Sequence, residues 1–164
     1  RHPLLGAATL SVGTISGGTK TNVVPDRCTI TVDRRLLPGE TPDRAVEELK
    51  ELLRGLQAAD PELDVELQVL QEAEPSEISP AEPIVQSALR ARALLGLGTG
   101  DVGGMPGTTD ARFLINQAGV PTVILGPGTL EDAHTVNESV SIEELRMGAL
   151  LYAALFCDYL GYDG

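Results

Sequence analysis

Apolar side chains recur with two different periods along this chain, and the changes of period outline its elements. Thr9-Leu-Ser-Val-Gly-Thr-Ile15 alternates apolar with polar residues, as a half-buried strand does, and Gly17-Gly18 breaks it. Asp26 to Asp33 alternates again, with Cys28, Ile30 and Val32 on one face, until Pro38-Gly39-Glu40 ends the run. The period then becomes helical. Thr41 is placed to cap, Pro42 takes the first helical position, and Val46, Leu49, Leu53 and Leu56 form one stripe before Asp60-Pro61 stops the helix. Asp64 to Leu70 alternates once more, placing Val65, Leu67 and Val69 on one face and predicting a third strand.

This order, β-β-α-β with one polar face per strand, predicts an antiparallel sheet layered with a helix. It is one strand and one helix short of the split β-α-β, ferredoxin-like unit. Glu72 to Ala81, with Pro75, Ser76, Ser79 and Pro80, reads as a linker. Beyond it, Pro83 to Leu95 is helical, with Ile84, Ala88, Ala91 and Leu95 on one face. A glycine-rich loop runs from Gly96 to Gly107, and a short helix from about Asp110 to Ala118 ends at Gly119, a C-cap residue. The apolar run Val120-Pro-Thr-Val-Ile-Leu125 predicts a buried strand. Ser141 with Glu144 forms a capping-box pattern that opens a last helix, apolar on nearly all sides through Cys157.

Composition narrows the function classes. The 164 residues are 42% hydrophobic but only 3% aromatic, so any core is built from Leu, Val, Ile and Ala. With 24 acidic against 12 basic residues the formal charge is −12, which repels phosphate backbones and anionic lipid; neither nucleic acid nor membrane is an expected partner. The apolar run from Met147 to Cys157 is too short to span a bilayer. Cys28 and Cys157 lie far apart, without metal-type spacing and in apolar contexts. They read as buried free thiols of a reducing, cytoplasmic compartment.

Chemistry concentrates in a few places. Gly126-Pro-Gly-Thr-Leu-Glu-Asp-Ala-His134 presents a histidine after a strand-and-turn pattern, where α/β enzymes place ligands at the carboxyl edge of a sheet. The blander reading is a loop imidazole bonded to nearby backbone. Gly107-Thr108-Thr109-Asp110 offers N–H groups and a hydroxyl at a helix start, which suits an anion, or simple capping by Thr109 or Asp110. Arg35, at a strand end after Asp33, suits a bidentate carboxylate clamp or a surface pair with Asp33 or Glu40. Asn22, between Gly17-Gly18 and Pro25, reads as a turn residue. Gly98-Thr-Gly100-Asp-Val-Gly103 matches a dinucleotide fingerprint only by chance, because no strand precedes it and no helix follows.

Two blocks carry a resemblance to a known family. The first runs from Gly17-Gly18-Thr-Lys-Thr-Asn22-Val-Val-Pro25-Asp to Asp33-Arg-Arg35-Leu-Leu-Pro38-Gly-Glu40, and the second from Gly107-Thr-Thr-Asp110-Ala-Arg through Gly126-Pro-Gly to His134-Thr-Val-Asn137-Glu138. Together they resemble the zinc-dependent peptidases and deacylases that include acetylornithine deacetylase, succinyl-diaminopimelate desuccinylase, carboxypeptidase G and aminoacylase. The resemblance implies a ferredoxin-like α+β lid, here incomplete, over residues 1–75, and the closing part of an α/β zinc-hydrolase catalytic domain over residues 80–164. It implies two zinc ions, with cobalt or manganese as substitutes, an N-acyl amino acid or small peptide as substrate, and a homodimer joined through the lid. By position, His134 resembles the last metal ligand, Gly107 and Thr108 the substrate-contacting loop, and Asn22 and Arg35 lid residues that hold a substrate carboxylate or carbonyl. The family's other ligands, its glutamate base and a lid histidine match nothing in this sequence. The chain is therefore expected to be inactive alone. The alternative is a non-catalytic, ferredoxin-like dimerisation or binding module.

Overall fold

The computed structural model describes residues 1–98 and 102–162, and the chain divides into two compact units: Arg1–Pro75 with Gly104–Thr108, and Ser76–Gly103 with Thr109–Gly164. In the first unit, β1 (Thr9–Gly17) and β2 (Cys28–Arg35) form an antiparallel ladder that runs from Thr9 opposite Arg35 to Gly17 opposite Cys28. A bulge at Gly13 interrupts the register between Val12 opposite Val32 and Thr14 opposite Thr31. Its effect on the faces is decisive. Leu10, Val12, Ile15 and Gly17 lie opposite Arg34, Val32, Ile30 and Cys28 on one face, while Thr9, Ser11, Thr14 and Ser16 face Arg35, Asp33, Thr31 and Thr29 on the other. Were Gly13 instead paired as an ordinary rung, the two-residue period would place Thr14 on the apolar face and Ile15 on the polar one. On the polar face the hydroxyls of Thr14 and Thr31 share a hydrogen bond of 2.6 Å. On the apolar face Leu10, Val12, Ile15, Ile30 and Val32 are all exposed.

The chain leaves β2 through a tight turn. Pro38 and Gly39 occupy its centre, Gly39 at φ 89°, and the Glu40 N–H closes it on the Leu37 carbonyl at 2.9 Å. Proline followed by a positive-φ glycine is the residue pair such a turn requires. Thr41 then caps α1 (Pro42–Ala59), its hydroxyl accepting from the Arg44 N–H at 3.3 Å, and the Asp60 N–H closes the far end on the Leu56 carbonyl. Ala45, Val46, Leu49 and Leu53 form the covered side of α1, whereas Leu56 is exposed.

The expected third strand does not form among the described residues. Residues 64–70 keep the alternation in part, with Val65 and Leu67 half-buried and Val69 exposed, yet make no ladder. A strand exists through hydrogen bonds to a neighbour, and no described residue offers this segment that partner. What remains is a small α+β unit with a two-stranded sheet.

The second unit is helical among its described residues: α2 (Pro83–Leu94), α3 (Ala111–Asn116) and α4 (Ile142–Leu160). Its core lies between α2 and α4, where Ala88 and Ala91 meet Leu151 and Leu155, with Ile84, Leu95, Leu97 and Leu125 packed around them. Arg90 reaches across to Asp158, its Nη2 at 2.7 Å and its Nε at 3.0 Å, and its Nη2 also bonds the buried Ser87 hydroxyl at 2.9 Å. These bonds, from Arg90 first and then from Ser87, hold the Asp158 carboxyl down at about 2. The capping box at Ser141 and Glu144 forms as the sequence predicts, and Gly161, at φ 72°, ends α4.

Other expectations are corrected by the fold. Residues 120–125 form no strand, for the reason that applies to 64–70; Thr122, Val123 and Leu125 are half-buried and Ile124 is exposed. Cys28 and Cys157 are free but exposed, because Cys28 lies on the uncovered apolar face of the sheet and Cys157 on a side of α4 turned away from α2. His2 bridges to Gly6 through paired backbone hydrogen bonds. The glycine pattern at 98–103 falls partly outside the described residues.

Candidate functional site

The loop that bears His134 is anchored on α4. Gly148, facing α2 and the loop, has no side chain, and a Cβ there would meet the Pro127 ring at 3.4 Å. One turn further on, the Tyr152 hydroxyl donates to the Leu125 carbonyl at 2.8 Å. Glycine and tyrosine four residues apart share a helix face, so α4 grips the start of the Gly126-Pro127-Gly128 turn at two points. Gly128, at φ 83°, then reverses the chain. Beyond it the loop is held by its own polar groups. The Thr129 hydroxyl donates to the Asp132 carboxylate at 3.0 Å, the Thr135 hydroxyl to the Asp132 carbonyl at 2.8 Å, and the His134 N–H to the Glu138 carboxylate at 2.9 Å. Pro127, Gly128, Thr129, Asp132, Glu138 and Val140 line an open cavity of about 280 Å³.

His134 is exposed and stands at φ 63°, the left-handed region, as no other described non-glycine residue does. A side-chain-bearing residue there costs about 1–3 kcal/mol, and such outliers concentrate at functional sites. No hydrogen bond joins its imidazole to another described residue. Among the described residues there is also no group of three or more His, Cys, Asp or Glu side chains able to hold a metal. Catalytic zinc takes about three protein ligands plus water. The described residues thus supply one imidazole donor rather than a complete metal site.

The other predicted residues fall in the first unit. Arg35 ends β2 on the polar face of the sheet, where its Nη2 and Nε lie 2.8 and 3.0 Å from one Asp33 oxygen, with both side chains more than half exposed. This is the surface pair of the blander reading. Such a pair contributes about 0–1 kcal/mol and is readily exchanged for another carboxylate. Glu40 is not available to Arg35: it accepts from the Leu37 N–H at 2.7 Å and pairs with Arg34 at 3.1 Å, contacts that lower its pKa. Asn22 is exposed in the loop joining β1 to β2, past the end of the ladder opposite to Arg35. Along β2 those two ladder ends lie about 23 Å apart at roughly 3.3 Å per residue, so the hairpin does not gather Asn22 and Arg35 into one cluster. Gly107 and Thr108 are exposed and belong to this unit too, on a segment that packs closely at Gly104, where a Cβ would strike Leu5 at 2.6 Å.

The helix after that segment is shorter than predicted, and Asp110 makes no side-chain cap. Its backbone is already helical, φ −69° and ψ −12°, whereas a capping side chain needs an extended backbone to reach the following N–H groups. Sequence reasoning passed over Arg112 on this helix. Its guanidinium lies 4.3 Å from the Phe113 ring centre, and its Nε is buried with no hydrogen-bond partner among the described residues. An arginine nitrogen left open in that way is equipped to receive an anion. Arginine beside phenylalanine at the start of a helix was the available signal.

Comparison with known proteins gives this arrangement its context. Residues 4–61 match the model of the peptidase dimerisation domain of the M20 family. The chain is 28% identical over 167 residues to the N-formyl-4-amino-5-aminomethyl-2-methylpyrimidine deformylase of Bacillus subtilis, a match covering 94% of this chain and 38% of that protein. It is 28% identical over 156 residues to the acetylornithine deacetylase of Myxococcus xanthus, covering 91% of this chain and 38% of the relative. This chain therefore spans well under half the length of either. A crystal structure of an M20 family metallo-carboxypeptidase from Sulfolobus solfataricus superposes with a TM-score of 0.74 at 20% identity, over 94% of this chain and 36% of that one, and shares its fold. With a dimerisation domain in its first third and hydrolase relatives along nearly its whole length, the chain belongs to the M20 peptidase family.

Proposed function

We propose that the whole protein is a metal-dependent amidohydrolase that cleaves the amide bond of an N-acyl amino acid or small peptide. In this reading the chain contributes a ferredoxin-like dimerisation lid in residues 1–75 and, in residues 80–164, the closing part of the catalytic domain. One observation carries the reading: two relatives matched over 94% and 91% of this chain are named for removing a formyl and an acetyl group. His134 provides one metal ligand, an imidazole suited to zinc and also to cobalt or manganese. Bound there, a divalent cation would polarise the scissile carbonyl. Arg35 exchanges Asp33 for a substrate carboxylate, Asn22 meets a substrate carbonyl or carboxylate, and Gly107 with Thr108 contacts the substrate through N–H and hydroxyl groups. The general base and remaining ligands are assigned to no residue of this chain, which by itself is inactive.

The protein acts in the cytoplasm as a homodimer joined through residues 1–75. The dimerisation-domain match and the exposed apolar face of the β1–β2 sheet support that pairing. No described helix is long and apolar enough to cross a membrane.

The test is His134→Ala in the whole enzyme, assayed on a panel of N-formyl and N-acetyl amino acids with metal content measured in parallel. Loss of a metal ligand should lower kcat/KM by more than the roughly 10–100-fold typical of the groups that orient ligands. Unchanged turnover at full metal occupancy removes His134 from the site. The same preparation should sediment as a dimer at micromolar concentration. A protein with neither metal nor turnover would instead be the non-catalytic dimerisation module.

A further inference from the structure

We propose that Glu138 is a positioning residue whose carboxylate locks His134 in its left-handed backbone conformation and so aims the imidazole outward. The proposal rests on the reading of His134 as the residue that meets the ligand. Left-handed backbone is unfavourable for a residue that carries a Cβ, so something must hold His134 at φ 63°. Glu138 is the group that does so: its Oε2 accepts from the His134 main-chain N–H at 2.9 Å. Hydrogen bonds to an ionised acceptor are roughly twice as strong as neutral ones, enough to offset that cost.

The geometry around the bond favours a clamp over a chance contact. Thr135 N–H bonds the Asp132 carbonyl at 3.2 Å and Glu138 N–H bonds the Thr135 carbonyl at 3.3 Å, so two successive turns bracket His134 and return Glu138 to it. Asp132 is engaged elsewhere, by Thr129. Ala133 is half-buried while His134 is exposed, as expected when a positive φ swings one side chain away from its neighbour's direction. Imidazoles that serve as ligands are usually oriented by a hydrogen bond to the second ring nitrogen. His134 has none from any described residue, so its direction is set through the main chain.

The experiment is NMR on the isotope-labelled whole protein. A positive φ brings the amide proton close to its own Hα, so His134 should show a strong intraresidue Overhauser effect. Glu138→Ala should abolish that signal, and Glu138→Gln, which retains a carbonyl acceptor, should restore it. Amide shifts of α2 and α4 and the thermal midpoint should stay unchanged, which a general structural role would not permit. Should Glu138→Ala leave the loop without observable signals, the double variant Glu138→Ala/His134→Gly should recover an ordered loop, because glycine needs no lock. Persistence of the Overhauser effect in Glu138→Ala, equal behaviour of the Ala and Gln variants, or no recovery by glycine overturns the proposal. Unchanged turnover of the His134→Ala enzyme would sink the ligand reading and leave these NMR outcomes as they are, so the two failures are distinguishable.

Discussion

Neighbouring leucines on α4 allow the packing to be tested with chemistry held constant. Leu151 is 4% exposed between Ala88 and Ala91 of α2, whereas Leu150, one residue earlier, is 54% exposed. Leu→Ala removes three carbon atoms, worth about 2.4 kcal/mol when fully buried at roughly 0.8 kcal/mol each. At Leu151 the residual void adds to this, because the surrounding alanines have little side chain with which to refill it, so the expected cost is about 3 kcal/mol, within the usual range for buried leucines. At Leu150 about half of the side chain is already in water and no void forms, so about 1 kcal/mol is expected. Urea unfolding at pH 7, followed by far-ultraviolet circular dichroism, gives both values from the midpoints, provided the slope is unchanged. Equal costs, or a larger one at Leu150, would refute the packing of α2 on α4 in this rotation.

Two further outcomes follow from contacts of the same helix. Gly148→Ala should raise stability by up to about 1 kcal/mol through helix propensity, since the new Cβ only touches Pro127 at 3.4 Å, while Gly148→Val should push the Gly126–Gly128 turn away and shift its NMR signals; a destabilised alanine variant would contradict that spacing. Asp158 has a folded-state pKa lowered to about 2 by Arg90 and Ser87, so its contribution is complete above the unfolded value of about 3.9 and is lost as pH falls through about 2. Wild type should therefore lose stability between about pH 4 and pH 2 more steeply than Asp158→Asn, and identical acid profiles would show that the Arg90 pair does not persist in solution.

Elements whose signals are local were legible in the sequence. Thr41 with Pro42, and Ser141 with Glu144, act within one turn of backbone, and both caps form where the residues predict them. Strands are different, because alternation describes a face and not a partner. Residues 64–70 and 120–125 carry the pattern, but no described strand lies beside them to complete a ladder. The same logic undid the expectation for the cysteines, since apolar surroundings in sequence become burial only if something covers that face. Plain alternation through Ile15 missed the break in β1, whose signal is that apolar residues at 10 and 12 resume at 15, with glycine between. Within the candidate site, sequence singled out His134 but not its left-handed backbone, because that depends on a carboxylate four residues away bending back to it. Arg112 escaped notice because arginine beside phenylalanine marks only the position, while an orphaned guanidinium nitrogen is a property of packing.

Gly13 makes the hairpin sensitive to parity. On its N-terminal side the oily positions of β1 are even-numbered, and on its C-terminal side they are odd-numbered, so leaving this residue out of the pairing is what keeps threonines and aliphatics from trading sides halfway along. Excising it would leave Leu10-Ser-Val-Thr-Ile-Ser in plain alternation with every side chain on its present side, whereas pressing it flat into the ladder would put Thr14 among the greasy side chains and Ile15 among the hydroxyls. A one-residue deletion is therefore silent at Gly13, while at a paired rung it would exchange the two sides of everything beyond it, a constraint stricter than the choice of side chain at any single rung.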